Sequence, residues 1–222
     1  MYFQVLYLRG YHPGRIRHAL AELPETPDET YERTFEHGAG PTAQNEDGRT
    51  SLHAASQSGH IEVVQFLVEH GADPTAQDKV GRTPLHVASI NGHIEVVRFF
   101  VGHGVDPTAQ DKVGWTPLHA ASVHGHIKVV QFLVGHGVDP TPQNDDGWTP
   151  LHVASLNGHM EVVQFLVGHG ADPTAQDKVG WTPLRAASLN GHIKVVQFLV
   201  EHGTDPTAQN KASGKTSRTS DG

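Results

Sequence analysis

The sequence contains no cysteine. That excludes a disulfide framework and any metal site built on thiolates, and it fits a reducing compartment such as the cytoplasm. Long apolar runs are also missing. The opening MYFQVLYLRG is interrupted at Gln4 and is too short for a secretory signal, and no stretch approaches the about 20 residues of a membrane span. An excess of positive charge is lacking too. The formal net charge is −8 with histidines neutral, which argues against a surface built for nucleic acid. Hydrophobic residues make up 36% of the chain, enough for a thin layered core rather than a thick globule.

What the chain has in abundance is repetition. Thr83-Pro84-Leu85-His86 recurs as Thr116-Pro117-Leu118-His119 and Thr149-Pro150-Leu151-His152. Variants stand at Thr50-Ser51-Leu52-His53 and Thr182-Pro183-Leu184-Arg185, and every step is 33 residues. Gly-His at 59–60, 92–93, 125–126, 158–159 and 191–192 keeps the same period, as does His-Gly from 37–38 to 202–203.

Each offset has a physical reason. A threonine before Pro-Leu caps a helix with its hydroxyl, and proline suits the first helical position because no amide is needed there. Leu85 and Ala88 then share one face, and small Ala88 and Ser89 let a neighbour approach. Gly92 stops this helix by accepting a left-handed conformation. A second helix is predicted over 94–102, with Ile94, Val97, Phe100 and Val101 available for burial. Gly104 ends it, and the chain turns back through residues 105–114 with Gly114 at the bend. One such unit cannot bury its own apolar faces; stacked neighbours can.

A 33-residue period carrying T-P-L-H and G-H-x-x-V-V resembles the ankyrin repeat. The resemblance implies an all-α solenoid of stacked helix pairs. Five full units are expected at 48–80, 81–113, 114–146, 147–179 and 180–212, preceded by a partial loop at 37–47 and followed by a disordered tail at 213–222. One departure from the family is the proline in the GADPTA, GVDPTA, GVDPTP and GTDPTA loops. Proline removes a backbone donor, so irregular loops are expected rather than hairpin strands. The asparagine that hydroxylases modify in some family members is replaced by Thr75, Thr108, Thr141, Thr174 and Thr207, so that modification is not implied.

Residues 1–36 stand apart from the repeats. Thr26-Pro27-Asp28-Glu29 has the form of a capping box, and helices are expected over 15–22 and 27–36 as an N-terminal cap. Ile16-Arg17, Ala19-Leu20, Glu22-Leu23-Pro24 and Asp28-Glu29-Thr30-Tyr31-Glu32-Arg33 resemble the segment that closes the NACHT module of fungal NLR-like (STAND) proteins. Pro27 stands where those proteins usually carry leucine. The resemblance implies the ligand-sensing or assembly part of a fungal NLR-like pathway, or a fragment of a nucleotide-switched ATPase whose engine lies elsewhere. Gly214-Lys215-Thr216 does not supply that engine, because Gln209 occupies the position of the first phosphate-loop glycine.

Eighteen histidines suggest a metalloprotein until the period is applied. All but His12, His18 and His124 belong to the three repeated motifs. Ladders spaced at about 10 Å, the separation of packed helix layers, are too open for ligands that each sit about 2 Å from one ion. Asp73 and its equivalents sit in turns, where aspartate caps nearby amides. No catalytic residue, cofactor or metal is expected.

The positions that differ between units read instead as a surface for another protein. They are the loop tips Lys79, Val80 and Arg82; Lys112, Val113 and Trp115; Asp145, Asp146 and Trp148; and Lys178, Val179 and Trp181. The first-helix ends add Gln57, Ile90, Val123, His124, Leu156 and Leu189, of which Ile90, Val123, Leu156 and Leu189 form a second, apolar row. All three tryptophans stand 33 residues apart on one expected line. Tryptophan concentrates binding energy, but an indole also packs across a neighbouring loop; both readings stay open at this point. The array is expected to be monomeric or weakly self-associating.

Overall fold

The structure, a computed structural model, describes residues 42–205. The expected helices at 15–22 and 27–36, the loop residues before 42 and the tail beyond 205 lie outside the described residues. Ten α-helices and no strand occur among the described residues. They form five pairs: α1 (Ser51–Ser58) with α2 (Ile61–Glu69), α3 (Pro84–Asn91) with α4 (Ile94–Gly102), α5 (Pro117–Val123) with α6 (Ile127–Gly135), α7 (Pro150–Leu156) with α8 (Met160–Gly168), and α9 (Pro183–Leu189) with α10 (Ile193–Glu201). First helices stack on first helices and second on second, giving an all-α solenoid.

The starts of the first helices show why the motif repeats. The Thr83 hydroxyl accepts from His86 N at 3.5 Å, Thr83 N donates to His86 Nδ1 at 3.2 Å, and Pro84 occupies the first helical position. The same reciprocal cap forms at Thr116–His119 and Thr149–His152. Gly92, with φ 74°, carries the chain into the second helix. A Cβ at Gly92 would lie 2.4 Å from His126 Nδ1 of the next unit, so the position is closed to other residues twice over. Gly125→Ala, at the equivalent φ of 74° and 2.5 Å from His159 Nδ1, is expected to destabilise the array by about 2–3 kcal/mol in urea titration.

The core is thin and continuous. Leu52, Leu85, Leu118 and Leu151 of the first helices and Leu67, Phe100, Leu133, Leu166 and Leu199 of the second are buried throughout the stack. Within α4 the structure buries Val96, Val97 and Phe100, and leaves the expected Ile94 and Val101 half-buried. The second helix is wedged between the first-helix layer and its neighbours. Its buried arc is therefore centred on the adjacent valines, while its two ends open toward solvent.

The connecting loops are irregular, as the prolines predict. Asp106 Oδ1 accepts from Thr108 N at 2.8 Å and from its hydroxyl at 2.7 Å, closing the Asp-Pro-Thr turn. Further on, Asp111 Oδ1 accepts from Val113 N and Trp115 N, and Gly114 bends the tip at φ 78°. One backbone bond joins each tip to the one before: Lys79 N to Asp47 O, Lys112 N to Val80 O, Asp145 N to Val113 O and Lys178 N to Asp146 O. The tips are thereby held in a single row.

Candidate functional site

The histidines are structural, and each class does one task. His86 Nδ1 accepts from Thr83 N at 3.2 Å, which places the proton on Nε2; that nitrogen donates to Trp115 O of the next unit at 3.1 Å. His53 reaches Arg82 O, His119 reaches Trp148 O and His152 reaches Trp181 O in the same way. The Gly-His class bridges backwards: His93, His126, His159 and His192 donate through Nε2 to the carbonyls of Gln57, Ile90, Val123 and Leu156. The His-Gly class closes second helices locally. His103 Nδ1 donates to Phe99 O at 2.8 Å and its ring packs on Phe99 at 3.9 Å.

Burial pushes the imidazoles of His53, His86, His119 and His152 below their ordinary range, His119 to about 4. These rings are therefore neutral bridges near neutral pH. Among the described residues no group of three or more His, Asp or Glu side chains is placed to hold a metal ion. His124 stands on the C-terminal end of α5 with its ring 6.0 Å from that of His126.

The bridges also place the tryptophans. The carbonyls of Trp115, Trp148 and Trp181 are anchored by the preceding unit's histidine, and their amides are anchored by Asp111, Asn144 and Asp177. The three indoles recur at one per unit and are half-buried. Trp115 leans on His119 and Trp148 on His152, each at 5.7 Å between ring centroids. Trp181 instead carries the Arg185 guanidinium 4.8 Å from its ring. Packing and exposure thus coexist: each indole is braced from its own unit and keeps part of its surface open.

The other expected residues divide. Lys79, Lys112, Asp145, Asp146 and Lys178 are exposed at the tips, with Val80, Val113 and Val179 beside them at 48%, 54% and 57% exposure. Arg82 is not an open tip residue. Its guanidinium clasps Asp78 at 2.8 Å, and Arg49 approaches the same carboxylate at 3.7 Å. In the apolar row Ile90, Val123 and Leu156 are half-buried, like the tryptophans, with their carbonyls held by the next unit's Gly-His histidines; Leu189, in the last described unit, is 65% exposed.

Sequence reasoning overlooked Arg49, which occupies the position of Arg82 and the tryptophans in the first unit. Its NH1 donates to Gln57 Oε1 at 2.9 Å, so a side chain at this position runs along the first helix to its far end. This links the two rows: the positions of Trp115 and Val123, or Trp148 and Leu156, belong to one strip along the first-helix side. The 33-residue period at position 49 was the signal that could have found it.

No helix among the described residues is long and apolar enough to cross a membrane. A search of curated proteins returned no match to the chain. The family model described as ankyrin repeats (3 copies) matches residues 72–144, 101–177 and 136–210, and the single ankyrin repeat model matches residues 47–79. The helix pairs, the reciprocal Thr–His caps and these matches have one meaning: the chain belongs to the ankyrin repeat family.

Proposed function

We propose that the protein is a non-catalytic binding module that presents the tip and first-helix side of its solenoid to another protein. The observation that carries this reading is the row Trp115, Trp148 and Trp181, half-buried and fixed at one indole per unit by bridges from the preceding units. Rigid presentation lowers the entropy lost on binding, and tryptophan is the residue in which interface energy concentrates. Lys79, Lys112, Val113, Asp145, Asp146, Lys178 and Val179 form the rim of the same surface. On this reading the array lies in the cytoplasm and is monomeric or weakly self-associating.

Affinity capture from the native cell tests the reading. Replacing all three tryptophans by alanine is expected to leave the array folded and to weaken partner capture by a few kcal/mol, on the order of 100-fold or more. A folded triple variant that retains its partner undiminished would overturn it, as would turnover of a small molecule by pure protein.

A narrower context rests on residues 1–36, whose resemblance to the end of a NACHT module supports a role in ligand sensing or assembly within a fungal NLR-like pathway. In a nucleotide-switched relative the array would act as the sensor of an ATPase carried elsewhere. An in-frame phosphate loop in the transcript upstream of Met1 is the expected finding for that relative; its absence there counts against it.

A further inference from the structure

The last described unit differs from the other four in what its outer end leaves open. Leu189, Ile193 and Val200 are 65%, 62% and 39% exposed. Their equivalents one unit earlier, Leu156, Met160 and Val167, are half-buried, because the following helix pair stacks on them. Val196 shows the same change: Val97, Val130 and Val163 are buried in its position, and Val196 is half-buried. An apolar edge running from the end of α9 along α10 thus lacks the neighbour that each of the other four units has. Residues 206–222 do not offer the missing cover, since PTAQNKASGKTSRTSDG holds no valine, leucine, isoleucine, methionine or aromatic residue.

The same helix carries a pair of charges that no other second helix combines. α10 reads IKVVQFLVE, with Lys194 near its start and Glu201 at its end. In those two positions α2 has glutamate twice, α4 and α8 have glutamate then glycine, and α6 has lysine then glycine. Lys194, Gln197 and Glu201 are exposed, and among the described residues neither charge is in an ion pair. Helix positions three, four and seven apart share a face, so Lys194, Gln197 and Glu201 run beside Ile193 and Val200 in one stripe. The stripe is complementary to itself when reversed. With two copies of α10 antiparallel and Gln197 on the axis, Ile193 meets Val200 and Lys194 meets Glu201 at both ends. A parallel approach would set lysine on lysine and glutamate on glutamate.

We propose that a second copy of the chain covers this end, with α10 packing antiparallel on α10 of the other copy about a two-fold axis. The contact is at the end of the stack and not on the tip row, so it does not depend on what the tips bind. A self-complementary contact of this kind closes at the dimer, whereas stacking one copy's end on another copy's start would continue into a fibre. A patch of this size lies at the weak end of specific interfaces, so the dimer forms with a Kd on the order of 100 µM.

Sedimentation equilibrium of the full chain, from about 10 µM to 1 mM, tests the pairing. The expected result is a monomer–dimer equilibrium. Ile193→Glu is expected to weaken the dimer at least about tenfold while the urea midpoint stays nearly unchanged, because the side chain is already exposed. Lys194→Glu and Glu201→Lys, each alone, oppose like charges across the pair and are expected to weaken it about threefold to tenfold. The two together exchange both charges and are expected to restore the dimer to within about twofold, which general stickiness would not do. A monomer throughout the range, a dimer indifferent to Ile193→Glu, or a double variant weaker than either single overturns the proposal. Growth past the dimer overturns it too, because that is the mark of end-to-start stacking.

Discussion

Acidification from neutral pH to about 5 is expected to lower the stability of the array steeply, and the cause lies in the first-helix histidines. His119 is 0% exposed; its pKa is depressed from 6.5 to about 4, first by burial and then by His152 and His86, against the bond to Trp148 O. His53, His86 and His152 shift in the same direction, again chiefly through burial. A histidine depressed in the folded state binds its proton more readily once the chain unfolds. Its contribution is complete above the unfolded value near 6.5 and is lost as pH falls from there toward the folded value of about 4. His119 alone contributes about 3 kcal/mol over that window.

Protonation also breaks geometry. A proton on Nδ1 of His119 would face the amide N–H of Thr116, which now donates to that nitrogen at 3.3 Å. Asp78 acts in the same direction at lower pH. Burial raises its carboxyl, but the Arg82 amide and guanidinium outweigh this and hold it below the carboxylate range. Urea midpoints measured between about pH 7.5 and 4.5 should fall continuously through the histidine window. A midpoint that stays level down to about pH 4.5 would show that the bridges are not neutral imidazoles.

The second large effect has the opposite sign. Ser56, Ser89, Ser122 and Ser155 are each 0% exposed, and none of their hydroxyls has a hydrogen-bond partner. The equivalent Ser188, exposed in the last unit, turns its Oγ to Leu184 O at 2.8 Å. Inside the stack the small side chain serves close approach, and its hydroxyl is a desolvated cost of roughly 1 kcal/mol. Alanine keeps the size, removes the orphan group and favours the helix by a few tenths more. Replacing all four serines by alanine should therefore raise the unfolding free energy by about 4 kcal/mol, read from urea titration at constant slope. A loss of stability would mean that the hydroxyls have partners in solution.

Most of the frame was legible because its causes are local. The Thr–Pro start, the Gly92 stop, the Asp106 turn and the tip at Gly114 each involve neighbours within a few positions, and the structure shows all of them. The two-way use of histidine was only partly legible. The cap between Thr83 and His86 involves neighbours three positions apart. The backward reach of His126 to Ile90 O spans 36 residues and is set by stacking, which a single unit does not display. The same reach leaves Ile90, Val123 and Leu156 half-buried, with Leu189 the most exposed of the row. Arg82 looked like a rim cation from composition. Its clasp on Asp78, four positions earlier, draws it into the fold instead.

The histidine bridges are what turn separate units into one surface, and nitrogen NMR of the four imidazoles observes them directly. The expected spectrum has His53, His86, His119 and His152 as Nε2–H tautomers, with His119 still neutral at pH 5.5 and titrating near 4. Titration of these rings near 6.5, with both nitrogens exchanging like those of a free side chain, would contradict the account.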